Sequence, residues 1–130
     1  MVELSSIKHG ETVADLGSGD GRISIAFAKK GGIVTGYELN QNLIYKSNDL
    51  ARQAKVNQKI NIVNEDFWKT DLSKFDIVTI YPMPDILLPL AKKLMKELKA
   101  GTRVLTNYYL LPEWKEVTHK NNIYLYIKGR

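Results

Sequence analysis

The strongest constraint on the fold is a glycine turn that separates an apolar segment from a helix-like segment. Residues 13–16 are mostly apolar, glycines follow at 17, 19 and 21, and a helical pattern begins at Arg22. Glycine permits a positive φ and lets a bound molecule approach the backbone closely. This order is typical of the first unit of a parallel sheet, where the turn binds part of a nucleotide-like ligand. The alternative is a plain strand–turn–helix joint without a ligand.

The spacing of the glycines distinguishes between classes of ligand. The chain has G-x-G-x-G, and Arg22 occupies the place of the third glycine in the dinucleotide pattern G-x-G-x-x-G. That third glycine brings helix against strand around a pyrophosphate, so the loop fits a dinucleotide poorly. Asp15 adds a carboxylate that attracts an ammonium group and repels a pyrophosphate. The sequence therefore favours a compact ligand whose charge lies on an amino-acid moiety.

Acidic residues follow the next two predicted strands. Glu38 comes directly after residues 33–37, and its carboxylate can accept hydrogen bonds from both hydroxyls of a ribose. Alternatively it belongs to the cap of the following helix, although Asn40 fits that role better. Asp66 follows the third predicted strand and can accept from an adenine amino group, while Phe67 can lie against the ring. In the alternative interpretation, Asp66 caps a loop and Phe67 is a core residue.

Alternating strands and helices predict an α/β fold, a Rossmann-like mixed sheet with helices on both faces. Five parallel strands are expected at 12–16, 33–38, 60–64, 75–80 and 103–108, with helices at 22–30, 41–56 and 84–99. The buried face of the second of these helices is expected to contain Leu43, Leu50 and Ala54. Residues 115–120 and 123–128 flank Asn121-Asn122, a pattern typical of an antiparallel β-hairpin with a two-residue turn. No helix is expected between the fifth strand and this hairpin, so the fold is a trimmed one.

Together these motifs resemble class I S-adenosylmethionine-dependent methyltransferases over nearly the whole chain. More narrowly, the chain is similar to small archaeal protein lysine methyltransferases and to the mitochondrial enzymes that modify ATP synthase c-subunit and adenine nucleotide translocase. The motifs are DLGSGDGRI at 15–23, GYELN at 36–40, DFWK at 66–69, LKAGTRV at 98–104 and PEW at 112–114. The resemblance implies that S-adenosylmethionine is bound by Asp15, Gly17, Ser18, Gly19, Gly21, Glu38, Leu39, Asp66, Phe67 and Tyr81.

The resemblance also implies the chemistry, which is methyl transfer to the amine of a protein lysine. Tyr81 and Pro82, which follow the fourth strand, are expected to shape the catalytic slot. The amine must be neutral, and desolvation beside a cationic sulfur lowers its pKa from about 10.4, so no dedicated base is required. The alternative for Tyr81 is a core aromatic that ends a strand. Of Tyr108 and Tyr109, one is expected to face the core and the other the cleft.

Two departures from the family pattern concern the substrate. Only one short helix, at residues 3–7, is expected before the first strand, whereas family members usually have a longer N-terminal stretch. The segment Tyr81-Pro82-Met83-Pro84 also differs from the Asn/Asp-Pro-Pro-aromatic motif of enzymes that methylate nucleobases or glutamine. The second departure counts against methylation of a base nitrogen.

The net charge of +5 lies entirely in residues 67–130, which contain eleven basic and six acidic side chains. Lys92, Lys93, Lys96 and Lys99 lie on one predicted helix opposite a stripe of leucines, which favours a solvated helix face over a nucleic-acid patch. The resemblance implies a protein substrate. RNA or a small molecule as acceptor, and a non-catalytic module that binds the cofactor, remain alternatives.

Several classes of site are not expected. The chain has no cysteine, and His9 and His119 are isolated, so the sequence predicts no metal site. No apolar segment of about eighteen residues is present, so no membrane insertion is expected. We expect one domain over residues 1–130, in the cytoplasm, and the sequence predicts no particular oligomeric state.

Overall fold

A computed structural model describes residues 1–130, and a seven-stranded sheet lies at its centre. The strands are β1 (Thr12–Leu16), β2 (Ile33–Tyr37), β3 (Ile60–Val63), β4 (Ile77–Ile80), β5 (Arg103–Asn107), β6 (Thr118–Lys120) and β7 (Ile123–Ile127). The helices are α1 (Val2–Ser5), α2 (Arg22–Lys29), α3 (Gln41–Gln53) and α4 (Leu87–Glu97). Short 3-10 helices occur at Asn57–Lys59, Phe67–Lys69 and Pro84–Ile86.

The strand order is β3-β2-β1-β4-β5-β7-β6. Strands β1 to β5 are parallel, whereas β7 pairs antiparallel with both β5 and β6. The predicted mixed sheet of five parallel strands and an antiparallel hairpin is therefore confirmed. The order reverses at β1, so the carboxyl ends of β1 and its neighbours β2 and β4 meet at the point where parallel sheets commonly bind ligands.

The core consists of two apolar layers, one on each face of the sheet. Neighbouring residues of a strand point to opposite faces, so Val13 and Ala14 of β1 belong to different layers, as do Leu105 and Val104 of β5. The layer that contains Val13 packs against Phe27 of α2 and the apolar residues of α1. The other layer packs against the leucines of α4. Helices therefore cover both faces, as predicted.

Helix α4 has a buried leucine face and an exposed lysine face. Leu90, Leu94 and Leu98 are buried, while three of the four lysines in this region are exposed. The exception is Lys93, whose Nζ lies 2.6 Å from Glu97 and donates to the carbonyl oxygen of Thr70 at 2.8 Å. The helix begins beside the carboxyl end of β4 and ends before the start of β5, so its last turn lies at the opposite edge of the sheet.

Several element boundaries differ from the sequence-based prediction. Helix α3 ends at Gln53, and Lys55 adopts a positive φ of 61° instead of extending the helix. The hairpin turn is as expected, with positive φ at Asn121 and Asn122. Its first strand is shorter than predicted because only residues 118–120 pair with β7.

No group of three or more His, Asp or Glu side chains is close enough to hold a metal ion. None of the helices combines the length and the apolar character needed to cross a membrane.

Candidate functional site

The parallel strands bring the predicted site residues to one edge of the sheet. The glycine loop follows β1, Glu38 follows β2, Asp66 lies three residues beyond β3, and Tyr81 follows β4. Two cavities open at this edge, one of about 360 Å³ and one of about 180 Å³. Gly17 lines both of them, so the loop after β1 forms the wall that they share.

The glycines of this loop have different structural roles. Gly17 and Gly19 have φ of +68° and +60°, and a Cβ on either would meet no atom within 4 Å. Their backbone therefore borders open space, which a ligand can approach. Gly21 has φ of +85°, but a Cβ there would lie 3.0 Å from the side chain of Ser47 on α3. The third glycine thus permits close packing of the loop against a helix.

Ser18 lies on the inner side of the loop. Its backbone N–H donates to the carbonyl oxygen of Tyr37 at 3.0 Å, which joins the loop to β2. The hydroxyl is buried without a hydrogen-bond partner, and a Cβ on Gly36 would lie 2.9 Å from it. Ser18 therefore packs against β2, although it also lines the first cavity.

The carboxylate of Glu38 accepts hydrogen bonds from three backbone N–H groups. Its Oε1 accepts from Gly19 N–H at 2.8 Å, and its Oε2 accepts from Leu39 N–H at 3.1 Å and from Asn40 N–H at 3.0 Å. A carboxylate has about four acceptor positions, so about one remains for a ligand hydroxyl. The alternative cap role belongs to Asn40, whose side chain accepts from two N–H groups at the start of α3.

Asp15 is a buried carboxylate in the wall of the first cavity, only 4% exposed. It accepts hydrogen bonds from Ser24 Oγ at 2.7 Å and from Thr79 Oγ1 at 3.4 Å. Burial raises its pKa from 3.8 to about 6; the two hydroxyls oppose this shift, and the nearby Glu38 adds to it. A cationic group in the cavity would stabilise the ionised form of Asp15.

The second cavity lies between the ends of β2 and β3. Asp66 Oδ1 accepts from Trp68 N–H at 3.0 Å and so caps the 3-10 helix there, while Oδ2 makes no hydrogen bond within the chain. Phe67 is half-buried against the core, with its ring centroid 4.8 Å from that of Trp68. Asp66 therefore caps a short helix and Phe67 packs against the core, as the alternative interpretation expects. Both residues also line the second cavity, so they remain available to a ligand. The lining residues are Gly17, Tyr37, Glu38, Leu39, Glu65, Asp66, Phe67 and Trp68.

The segments after β4 and β5 complete the first cavity. Tyr81 lines it and is 62% exposed, so it is not a core aromatic. Pro82 is buried and lines neither cavity. Asn107 lines the first cavity but was missed in the sequence, where its one signal is its place at the end of β5.

The prediction for Tyr108 and Tyr109 was wrong. Strand β5 ends at Asn107, and Tyr108 has a positive φ of 77°, so strand alternation does not extend to this pair. Tyr108 is 58% exposed, Tyr109 is half-buried, and the two rings pack edge to face at 5.3 Å. Neither lines either cavity.

Comparisons with known proteins identify several relatives of the chain. Residues 15–118 match the family model described as ANTKMT methyltransferase domain. The human lysine N-methyltransferase named for the ATP synthase c-subunit is 39% identical over 114 residues, which cover 88% of this chain and 48% of that protein. The chain thus spans about half the length of this relative. A protein-lysine N-methyltransferase of Saccharolobus islandicus (strain REY15A) is 32% identical over 99% of this chain and 86% of its own length.

A solved structure is similar over almost the whole chain. It is an RNA methyltransferase from Salinibacter ruber in complex with S-adenosyl-L-homocysteine, with a TM-score of 0.87 and 28% identity. The similarity covers 98% of this chain and 85% of that one.

Proposed function

Because the chain belongs to the ANTKMT methyltransferase domain family, we propose that it transfers a methyl group from S-adenosylmethionine to a protein lysine. The Saccharolobus relative, named for this activity, is similar over 99% of the chain. The observation that supports the proposal most directly is the divided cavity, which has carboxylates in both compartments. A ligand with an ammonium group at one end and a nucleoside at the other matches that division.

The first cavity fits the amino-acid end of S-adenosylmethionine. Asp15 supplies a negative charge for the amino group. Gly17 and Gly19 have no side chain to block the approach of the ligand. Ser18 and Gly21 keep the loop in place through their packing against β2 and α3.

The second cavity fits the nucleoside end. Glu38 has about one acceptor position left for a ribose hydroxyl. Leu39 and Phe67 line this cavity and offer apolar surface to an adenine ring. The free Oδ2 of Asp66 can accept a hydrogen bond from the adenine amino group.

Bound S-adenosylmethionine supplies a methyl group activated by a positively charged sulfur. The chain's own task is to hold the lysine amine in line with the bond that breaks, and positioning of this kind accounts for much of the rate. Tyr81 follows β4 and Asn107 ends the neighbouring β5, and both line the first cavity, where their oxygens can accept hydrogen bonds from the amine. Pro82 restricts the backbone of Tyr81 to extended conformations, so we assign it a positioning role.

RNA methylation is the second candidate, because the Salinibacter relative is an RNA methyltransferase and the chain has a net charge of +5. The distribution of charge favours the first candidate. Residues 81–88 and 107–112, which follow β4 and β5, contain no lysine or arginine. Arg22 lines the first cavity, but its guanidinium is paired with Asp20 at 3.0 Å. The exposed lysines of the α4 region extend toward the opposite edge of the sheet. Backbone phosphates normally require basic side chains near the reaction site.

The test has two stages. Calorimetric titration with S-adenosylmethionine measures cofactor binding, and the protein is then incubated with methyl-labelled cofactor and a cell lysate. The labelled fraction is divided into samples treated with nuclease or protease, and labelled protein is hydrolysed to identify methyl-lysine. The Glu38→Ala variant is the control, since its cofactor binding is expected to be weaker.

Cofactor binding with label in methyl-lysine would support the proposal. Label that nuclease removes would assign the chain to RNA methylation, and label in low-mass compounds would indicate a small-molecule acceptor. Failure to bind S-adenosylmethionine would contradict the proposal at its first step.

A further inference from the structure

Five large apolar side chains are exposed in the two segments that follow β4 and β5. After β4, the exposed fractions are 62% for Tyr81, 63% for Met83 and 44% for Leu88. After β5, they are 58% for Tyr108 and 52% for Leu110. We call these five residues the rim patch. Single exposed apolar residues are ordinary on protein surfaces, but a group of them marks a site of interaction.

The rim patch adjoins, at Tyr81, the cavity where transfer would take place. Strands β4 and β5 are adjacent and parallel, with Ile80 opposite Thr106, so the two segments leave the sheet side by side. Tyr81 belongs to the patch and also lines the first cavity. A substrate whose amine enters that cavity therefore has its neighbouring residues on the rim patch.

The backbone holds Tyr108 in an unusual outward position. Its φ of 77° is rare for a bulky residue. Two hydrogen bonds fix the turn. Tyr108 N–H donates to the carbonyl oxygen of Asn122 at 2.7 Å, and Thr106 Oγ1 donates to the carbonyl oxygen of Tyr109 at 2.8 Å. Strain of this kind persists where the surroundings enforce it and is often found at functional sites.

The charge near the rim patch restricts its partner. Asp85 is the one charged residue in 81–88, and 107–112 contain none. The rim patch therefore suits an uncharged apolar segment. Arg22, which lines the adjoining cavity, is paired with Asp20 at 3.0 Å. We propose that the rim patch binds apolar residues that flank the acceptor lysine in the protein substrate, an inference that rests on the proposed function. The acceptor is thus a lysine within an apolar stretch of sequence.

Binding of two synthetic peptides tests this inference. Both have the same length and charge and a single lysine, which leucine and phenylalanine flank in one peptide and serine and glycine in the other. Fluorescence anisotropy measures their affinity in the presence of S-adenosylhomocysteine. The variants are Met83→Ser, Leu110→Ser and their combination. Met95→Ser is the matched control, because Met95 is also exposed but lies about 12 Å along α4 from its first residue.

We expect the apolar peptide to bind at least about tenfold more tightly than the polar one, as burial of a few apolar anchors allows. Each rim variant is expected to reduce that preference severalfold. Met95→Ser is expected to leave it unchanged. Equal binding of the two peptides, or equal loss in Met95→Ser, would overturn the inference. Self-association that the double variant abolishes would also overturn it and would assign the patch to a second copy of the chain.

Calorimetry with S-adenosylmethionine and methyl transfer to either peptide separate this inference from the proposed function. Cofactor binding with lysine methylation but no preference for apolar flanks contradicts the rim patch alone. If the unmodified protein does not bind S-adenosylmethionine, the proposed function itself is contradicted.

Discussion

Replacement of Asp15 by asparagine tests the electrostatics of the first cavity. The substitution keeps the shape and one acceptor oxygen but removes a charge that is buried beside Ser24 and Thr79. Burial raises the pKa of Asp15 to about 6, so ionising it in the folded protein costs free energy at higher pH. A shift of about two pKa units corresponds to about 3 kcal/mol. We expect Asp15→Asn to be more stable than the unmodified protein at about pH 8, by at most this amount.

The pH dependence is the sharper part of this test, because its sign is opposite to that of most carboxylates. The pKa of Asp15 is higher in the folded state than the ordinary value of 3.8, so the folded protein takes up the proton first as pH falls. The contribution of Asp15 to the free energy of unfolding therefore rises as pH falls through about 6 and is complete below about 3.8. The variant lacks this titration. Its advantage should be about 1 kcal/mol larger at about pH 8 than at about pH 5.

Urea unfolding followed by tryptophan fluorescence, at several pH values between these limits, measures the difference. Asp49→Asn is the control, since Asp49 lies on the exposed face of α3 with its side chain 62% exposed. The comparison requires equal m-values for the proteins. An advantage of Asp15→Asn that stays constant with pH would refute the argument from burial, and so would a loss of stability at the highest pH.

Three further outcomes follow from the site. Glu38→Ala should weaken cofactor binding in calorimetry and also destabilise the fold by about 1 kcal/mol, since the partly buried Gly19 N–H loses its acceptor; unchanged affinity would remove Glu38 from the site. Tyr81→Phe should slow methyl transfer more than it weakens cofactor binding, and equal turnover would exclude its hydroxyl from the mechanism. Gly21→Ala should reduce the unfolding temperature more than Gly17→Ala, because only its Cβ would press on Ser47; Gly17→Ala should reduce cofactor affinity more, and the reverse ranking would contradict the assigned roles.

Most of the fold could be predicted because its signals are local. The apolar strands, the glycine turn after β1 and the leucine stripe of α4 each specify an element by periodicity or by backbone conformation. Helix α3 shows where this reasoning fails. Its buried residues are Ile44, Ser47 and Ala51 instead of the predicted Leu43, Leu50 and Ala54. Ser47 is buried because its hydroxyl lies 2.9 Å from the carbonyl oxygen of Gly19, a long-range contact that hydrophobic periodicity does not reveal.

The candidate site shows the same division between local and long-range information. The positions of Asp15, Glu38 and Asp66 near the carboxyl ends of β1, β2 and β3 could be predicted, because parallel strands bring their carboxyl ends together. The hydrogen bond from Gly19 N–H to Glu38 could not be predicted, because Gly19 is far from Glu38 in sequence. The outward turn at Tyr108 depends on a hydrogen bond to Asn122 in the hairpin, a partner that strand alternation alone cannot supply.

The shared wall at Gly17 has a consequence for inhibitor design. Two small fragments, one in the 360 Å³ compartment and one in the 180 Å³ compartment, would both lie against Gly17, which has no side chain. A short linker across Gly17 would make the second binding event intramolecular, with an effective concentration on the order of millimolar. A weak amine fragment and a weak aromatic fragment would then combine into one ligand of much higher affinity. The division of the site thus makes it suitable for assembling inhibitors from two halves.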